Sequence, residues 1–536
     1  MRSTLVSALG VMFLLAGLAG FLANSYAVPA SPPDPPPGLS AIDFCKFLDA
    51  NTINMCVSNL GTFAGQMGGP GLEFPKGSGK YCVYTSGLWI GAKVNGEIRV
   101  ALGGYTPEFR PGCIYPDGTY DPDSDPRHHV FKIAKGDTAS PDYTGWPAGF
   151  GAPVDEDGKP LLVGSQTLWC VYHDANPMFH WAPEGGTAPL GIEVQQTAFA
   201  SDWQVAFGKV VFVEFKMINR LANTLDSTYF GIFCDPDVGG FLDDLIGCDP
   251  ALNLGFGYNA TNADLVYGAQ PPCIGYDIVR CPLDDSGIEL GMTAFRGYAN
   301  GGDPMSSSEC YDCLRGLALD GSPIIDPTTG NPTTFQMSGD PVQGTGWLDS
   351  DGDDRRFIMA SGPFTMEPGD TQQVAVAIVA ARGWNRITAV KLMKELDRAA
   401  QAAYNAGLNG QFLPATEGSL YEADPGRRGA DLPAEMNSAR PNSPAGSPPV
   451  LTVGPNPARG SVAIDVRVSR PGSYALRVVD TEGRVVRTLL AGDILSAGHS
   501  LVWDGCDEGG HPAPAGIYFA HLAGNQTGSA KIVLLR

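Results

Sequence analysis

From about Ile42 the chain runs in short apolar stretches broken by turn residues, with few runs at helical period. The clearest pair is residues 88–94 and 97–102, joined by Asn95-Gly96. Both joining residues accept the positive φ of a type I′ turn, so the pair predicts a β-hairpin. Residues 209–218 alternate. Val211, Val213, Phe215 and Met217 form one row, and Phe212, Glu214 and Lys216 form the other. Such a strand turns one row inward. Residues 371–380 read as a buried strand. One stretch has helical period. Over 387–408, apolar side chains recur at Val390, Met393, Leu396, Ala400, Ala403 and Tyr404, with Asn385 placed to cap the start. Its alanine-rich face suits packing on a sheet. The predicted fold class is mainly β, with a large multi-stranded domain over 42–410, of one or two subdomains, closed by one helix.

The flanking segments are of other kinds. Arg2 precedes an apolar run over 5–22 that is centred on Phe13, Leu14, Leu15 and Leu18, and Ser25-Tyr26-Ala27 follows. This is the layout of a secretory signal peptide over 1–27, with cleavage expected after Ala27. The competing reading is an uncleaved anchor, because the run approaches the length of a bilayer span. Gly10, Gly17, Gly20 and the small-x-small end favour cleavage. No cysteine stands at the junction, which argues against a lipoprotein. No later segment is apolar for long enough to span a membrane, so the mature chain is expected to be soluble or surface-attached. Residues 28–41 are a proline-rich spacer and 411–447 a linker without a periodic apolar face.

Beyond the linker, 448–536 alternate in six or seven short strands, a spacing that predicts an immunoglobulin-like β-sandwich. Gly454-Pro455-Asn456-Pro457 opens this module and Asp480-Thr481-Glu482-Gly483-Arg484-Val485 forms a hairpin. Trp503-Asp504-Gly505, Gly509-Gly510, Ala515-Gly516-Ile517-Tyr518-Phe519 and Lys531-Ile532-Val533-Leu534 complete it. In this order the motifs resemble the Ig-like domain shared by flagellar hook-capping proteins and the C-terminal sorting domains of type IX secretion cargo. The resemblance implies passage across an outer membrane, followed by removal of the domain or its use in surface attachment. Hook capping fits less well, since flagellar export uses no cleaved signal peptide. The large domain, through Phe74-Pro75-Lys76-Gly77-Ser78-Gly79, Gly87-Leu88-Trp89-Ile90 and Cys234-Asp235-Pro236-Asp237-Val238-Gly239, is similar to a group of exported proteins of unknown activity that also end in sorting domains. That resemblance implies a location and no chemistry.

Composition narrows the partners. A chain of 536 residues exceeds one ordinary core. Its net charge of -22 would repel a phosphate backbone, which excludes nucleic acid. Twelve cysteines suit an oxidising compartment and predict disulfides, though Cys273, Cys281, Cys310 and Cys313 also permit a zinc reading.

The candidate chemistry is carboxylate-rich. Asp235, Asp237, Asp243, Asp244 and Asp249 crowd into one glycine-rich stretch, and Asp349, Asp351 and Asp353 fall in a second run that ends at Asp354. Crowded carboxylates repel unless a cation or solvent screens them. Calcium prefers such hard oxygen donors in loops, so calcium is the expected cofactor. The second run is not an EF-hand, because its glycine comes two positions early and Ala360 stands where the closing glutamate belongs. Asp121, Asp123 and Asp125 make a weaker group. His128-His129, His173-Asp174 and His180 lack metalloprotease spacing. There is no G-x-S-x-G elbow, P-loop or dinucleotide fingerprint. No catalytic residue is assigned. The expected role is a secreted or cell-surface structural or binding protein of a Gram-negative-type bacterium, stabilised by calcium, whose partner is the secretion machinery or the cell surface. The alternative is a secreted hydrolase of polysaccharide or protein.

Overall fold

In a computed structural model of the chain, the described residues are 44–66, 69–180, 186–202, 207–406, 450–454, 458, 460–467, 472–480, 484–495, 498–524 and 528–535. The expected signal peptide, spacer and linker lie outside them, as do Leu408 and the turn Thr481-Glu482-Gly483.

Two antiparallel sheets carry most of residues 44–406. In the ten-stranded sheet, Leu225–Asp235 is flanked by Arg355–Met366 and Thr85–Val94. In the nine-stranded sheet, Thr371–Arg382 is flanked by Val210–Asn219 and Pro272–Arg280. One apolar core joins their facing sides. Leu88, Ile90, Ile232 and Met359 enter it from the first sheet, and Val211, Val213, Phe215, Met217, Val376 and Ile378 from the second. Of the two rows read on this strand, Val211, Val213, Phe215 and Met217 are the one that enters this core.

The period of two explains what covers the outer faces. Ala375, Ala377, Val379 and Ala381 point away from the core and form a shallow seat for a helix. Of the three α-helices among the described residues, α1 (Pro141–Thr144), α2 (Ser307–Leu314) and α3 (Arg386–Asn405), the last lies on that seat through Val390, Met393, Leu396 and Ala400. Asn385 caps α3: its side chain accepts from Thr388 N–H at 2.8 Å, while the Thr388 hydroxyl accepts from Asn385 N–H at 2.9 Å. Helix α2 covers the outer face of the first sheet, over Trp89, Phe233, Ile358 and Ala360. Glycine makes both approaches close. A Cβ at Gly231 would stand 2.3 Å from Leu314, and one at Gly275 2.5 Å from the Met393 sulfur.

The Asn95-Gly96 turn connects Thr85–Val94 to Glu97–Leu102, with φ of 52° and 84° as its type requires. Cys45 and Cys56 form a disulfide between neighbouring strands. The zinc reading is corrected here: Cys273, Cys281 and the α2 pair Cys310 and Cys313 belong to three separate apolar clusters and do not converge. No helix among the described residues is long and apolar enough to cross a membrane.

The C-terminal module is a sandwich of a three-stranded and a four-stranded antiparallel sheet. Val450–Gly454, Val462–Arg467 and Gly498–Trp503 form the first, and Val485–Leu495, Gly472–Asp480, Gly516–Gly524 and Gly528–Leu534 the second. Its core is drawn from residues 458–534, around Trp503, Tyr474, Leu476 and Ile532.

Candidate cation centre

Antiparallel register builds the site. Leu225–Asp235 pairs with Arg355–Met366 so that Cys234 faces Phe357. Asp235 ends the first of these strands with Asp237 two residues beyond it, and Asp354 immediately precedes the second, which carries Arg356. The two aspartate-rich stretches are stitched again where Asp353 N–H donates to the Asp244 carbonyl at 3.2 Å. As a result, carboxylate oxygens of Asp235, Asp237 and Asp354 lie within 4.8 Å of one another.

Charge in this group is unbalanced. Arg356 is the guanidinium that faces it, with Nη2 3.3 Å from Asp354 and Nε 3.8 Å from Asp235 and 3.6 Å from Asp303. Arg356 Nε also donates to the Tyr105 hydroxyl at 2.6 Å, and that hydroxyl donates to Asp235 Oδ2 at 2.5 Å. Asp235 Oδ1 is buried and accepts no hydrogen bond. Burial first, then the neighbouring charges of Asp354 and Asp303, raises the Asp235 carboxyl to about 6 despite Tyr105 and Arg356. Burial, Asp235 and Asp354 together raise Asp237 to about 7. Asp244, fully buried behind them, is pushed well up by burial and by Asp237, and its Oδ1 has no hydrogen-bond partner either. A divalent cation held by Asp235, Asp237 and Asp354 would supply the missing charge in this group.

Most of the other expected ligands have protein partners. Asp249 pairs with Lys394 at 2.9 Å. Asp349 pairs with Arg355 at 2.8 Å and accepts from Ile246 N–H at 3.1 Å. Asp243 accepts from the Asn259 amide at 2.7 Å. Asp351 and Asp353 are exposed, and the Asp353 carboxylate accepts from the next residue's N–H. Of the eight aspartates expected from the sequence, the structure therefore brings Asp235 and Asp237 into the centre, with Asp244 behind, and adds Asp354. Asp354, Arg356, Tyr105 and Asp303 were not among the expected site residues; Asp354 closes the second aspartate run, and nothing local marks the other three. Among the weaker candidates, Asp123 pairs with Arg110 at 3.7 Å and Asp125 with Arg127. The Asp174–His180 pair is a buried brace, with Asp174 accepting from Leu190 and Ile192 N–H at 2.6 and 2.7 Å.

A small cleft opens beside the centre. Trp89, Phe233, Tyr298 and Tyr105 wall it, and Asp303 also lines it. Trp89 and Phe233 stack at 5.5 Å and Tyr105 meets Phe233 edge-on at 5.4 Å, so the wall is a rigid aromatic surface. Tyr105 and Asp303 belong to the cleft and to the ring of groups around Arg356 alike.

No protein-family model matches the chain, and no curated protein matches it. Three solved structures show a weak likeness. A polysaccharide lyase matches at TM-score 0.19 and 10% identity, over 84% of this chain and 46% of that one. Dimeric latent PorU from Porphyromonas gingivalis matches at 0.15 and 10%, over 91% and 32%. A family GH92 alpha-mannosidase from Bacteroides thetaiotaomicron matches at 0.19 and 9%, over 57% and 30%. The chain spans less than half the length of each, and at these scores none assigns a function.

Proposed function

We propose that this chain is an exported surface or extracellular binding protein whose large β unit is stabilised by calcium at Asp235, Asp237 and Asp354. The observation that carries the reading is the convergence of three carboxylates, one of which, Asp235, has a buried oxygen without a hydrogen bond. The aromatic cleft beside the centre supplies a surface for a ligand. Thermal unfolding of the mature protein, residues 28–536, tests it. Excess calcium is expected to raise the melting temperature over chelator, by about 2.7 kcal/mol of stability at a hundredfold excess over the dissociation constant. Asp237→Asn is expected to lose that response while becoming more stable than the parent in chelator, because it removes a repelling charge. Equal melting with calcium and chelator in the unsubstituted protein would sink the calcium reading.

The C-terminal module is assigned to sorting or surface attachment through the secretion machinery. Its motifs and the signal-peptide pattern support this, and the seven-stranded sandwich is compatible with it. Deleting 448–536 is expected to trap the protein inside the outer membrane. Unchanged surface display or release after that deletion would remove the assignment.

One feature favours a second reading as a secreted hydrolase: Asp235 and Tyr105 form a hydrogen-bonded acid pair against the aromatic cleft. Turnover of a polysaccharide or protein substrate that survives chelation and is lost in Asp235→Asn would establish it. The convergence of the carboxylates on one point suits a cation better than the facing pair that glycoside hydrolysis needs.

A further inference from the structure

A second group of ligand-type side chains shares no member with the aspartate centre. The hairpin after Pro111 holds Cys113 against Asp121: each N–H donates to the other residue at 3.2 Å, Cys113 to the Asp121 carboxylate and Asp121 to the Cys113 carbonyl. Ile114 pairs with Tyr120 inside that hairpin, and the Tyr115 hydroxyl donates to Asp121 Oδ1 at 2.9 Å. The short turn Pro126–His128 then folds back, fixed by Asn59, whose amide donates to the His128 carbonyl at 2.7 Å. Cys113 Sγ, a carboxylate oxygen of Asp121 and a ring nitrogen of His128 thereby come within 4.8 Å of one another. All three residues are buried, at 8%, 4% and 1% exposure.

Two further observations point to an ion. The His128 side chain is fully buried: its Nε2 pairs with Asp121 Oδ2 at 2.9 Å, whereas its Nδ1 has no hydrogen bond. A sealed imidazole nitrogen without a partner is costly unless something else takes its lone pair. The neighbouring His173 repeats the pattern. Its Nδ1 accepts from Ala175 N–H at 3.1 Å, its ring packs on Tyr120 at 5.0 Å, and its Nε2 is buried without a hydrogen bond.

We propose that Cys113, Asp121 and His128 bind one zinc-class transition ion, with the fourth position left to His173 or a water. Sulfur, imidazole and carboxylate together are a zinc donor set, held about 2.0–2.3 Å from the metal. The same set excludes calcium, which takes oxygen ligands in larger number. The site would tie the hairpin that carries Cys113 to the Pro126–His128 turn, stiffening one edge of the nine-stranded sheet.

Cobalt(II), added to the chelator-stripped mature protein, is the probe. One equivalent per chain is expected to bind, with a thiolate-to-cobalt charge-transfer absorption that zinc abolishes and calcium leaves unchanged. Cys113→Ser should remove the band, and His128→Gln should weaken binding by about tenfold or more. A measurement on the unsubstituted protein covers the case in which these variants misfold: zinc should slow alkylation of Cys113 by about tenfold or more, read by peptide mass. Absence of the band, its persistence in Cys113→Ser, or alkylation of Cys113 indifferent to zinc would each overturn the proposal, leaving the calcium response as a separate outcome.

Discussion

Replacing Asp397 with asparagine is expected to stabilise the protein by about 2–4 kcal/mol at pH 8, with the gain vanishing near pH 4. Asp397 lies on α3 and faces Asp277 on Pro272–Arg280, with the two residues 1% and 0% exposed. Asp277 is shifted well up, first by burial and then by Asp397, its one charged neighbour. Burial raises the Asp397 carboxyl to about 7 in spite of Arg398 and Lys394. The folded pair therefore holds protons that the unfolded chain releases near its ordinary value of 3.8. The stability these carboxyls contribute is complete below that value. For Asp397 it falls as pH rises through the window up to about 7 and is lost above. Asparagine keeps the shape, donates to Asp277 and removes one titration, so the variant escapes that loss. Urea unfolding at pH 4, 6 and 8 measures it. A gain independent of pH, or a loss at pH 8, would show that the pair is not held by a shared proton.

The parts of the fold visible in the sequence are those fixed by neighbours along the chain. The helix over Arg386–Asn405 was signalled by Asn385 and by apolar residues at helical spacing, both local features. The hairpin at Asn95-Gly96 and the strands of the C-terminal module rest on turn residues and a period of two, which are local as well. The inward row of Val211, Val213, Phe215 and Met217 followed from alternation alone. The outer row did not, because whether Ala375 and Ala377 meet solvent or a helix depends on where α3 returns.

The centre was half legible for the same reason. Five crowded aspartates suggested one cage, but two of them find distant partners or solvent: Asp249 meets Lys394 across 145 positions and Asp243 stays near the surface. Asp354 reaches Asp237 through the register of two strands more than a hundred residues apart, which no local spacing encodes. Tyr105 and Arg356, 251 positions apart, meet by the same route. The cysteines misled in the opposite sense. Cys310 and Cys313 have zinc-like spacing, yet α2 turns both into an apolar cluster, whereas Cys113 carried no motif and faces an aspartate and a histidine.

Arg356→Met is expected to cost about 3–5 kcal/mol in chelator and much less in calcium. The guanidinium touches Asp235, Asp303, Asp354 and Tyr105, and its side chain is 11% exposed. Methionine preserves the apolar stem but leaves buried carboxylates with no opposing charge, the arrangement that makes loss of one buried partner so damaging. Calcium at Asp235, Asp237 and Asp354 would supply two positive charges where one was removed. The variant should therefore gain more stability from calcium than the parent does, and the difference between the two gains is the coupling between Arg356 and the ion. Urea unfolding of both proteins, each with chelator and with calcium, gives that coupling directly. A loss of the same size under both conditions would mean that the carboxylates answer to Arg356 alone, and that no cation shares their charge.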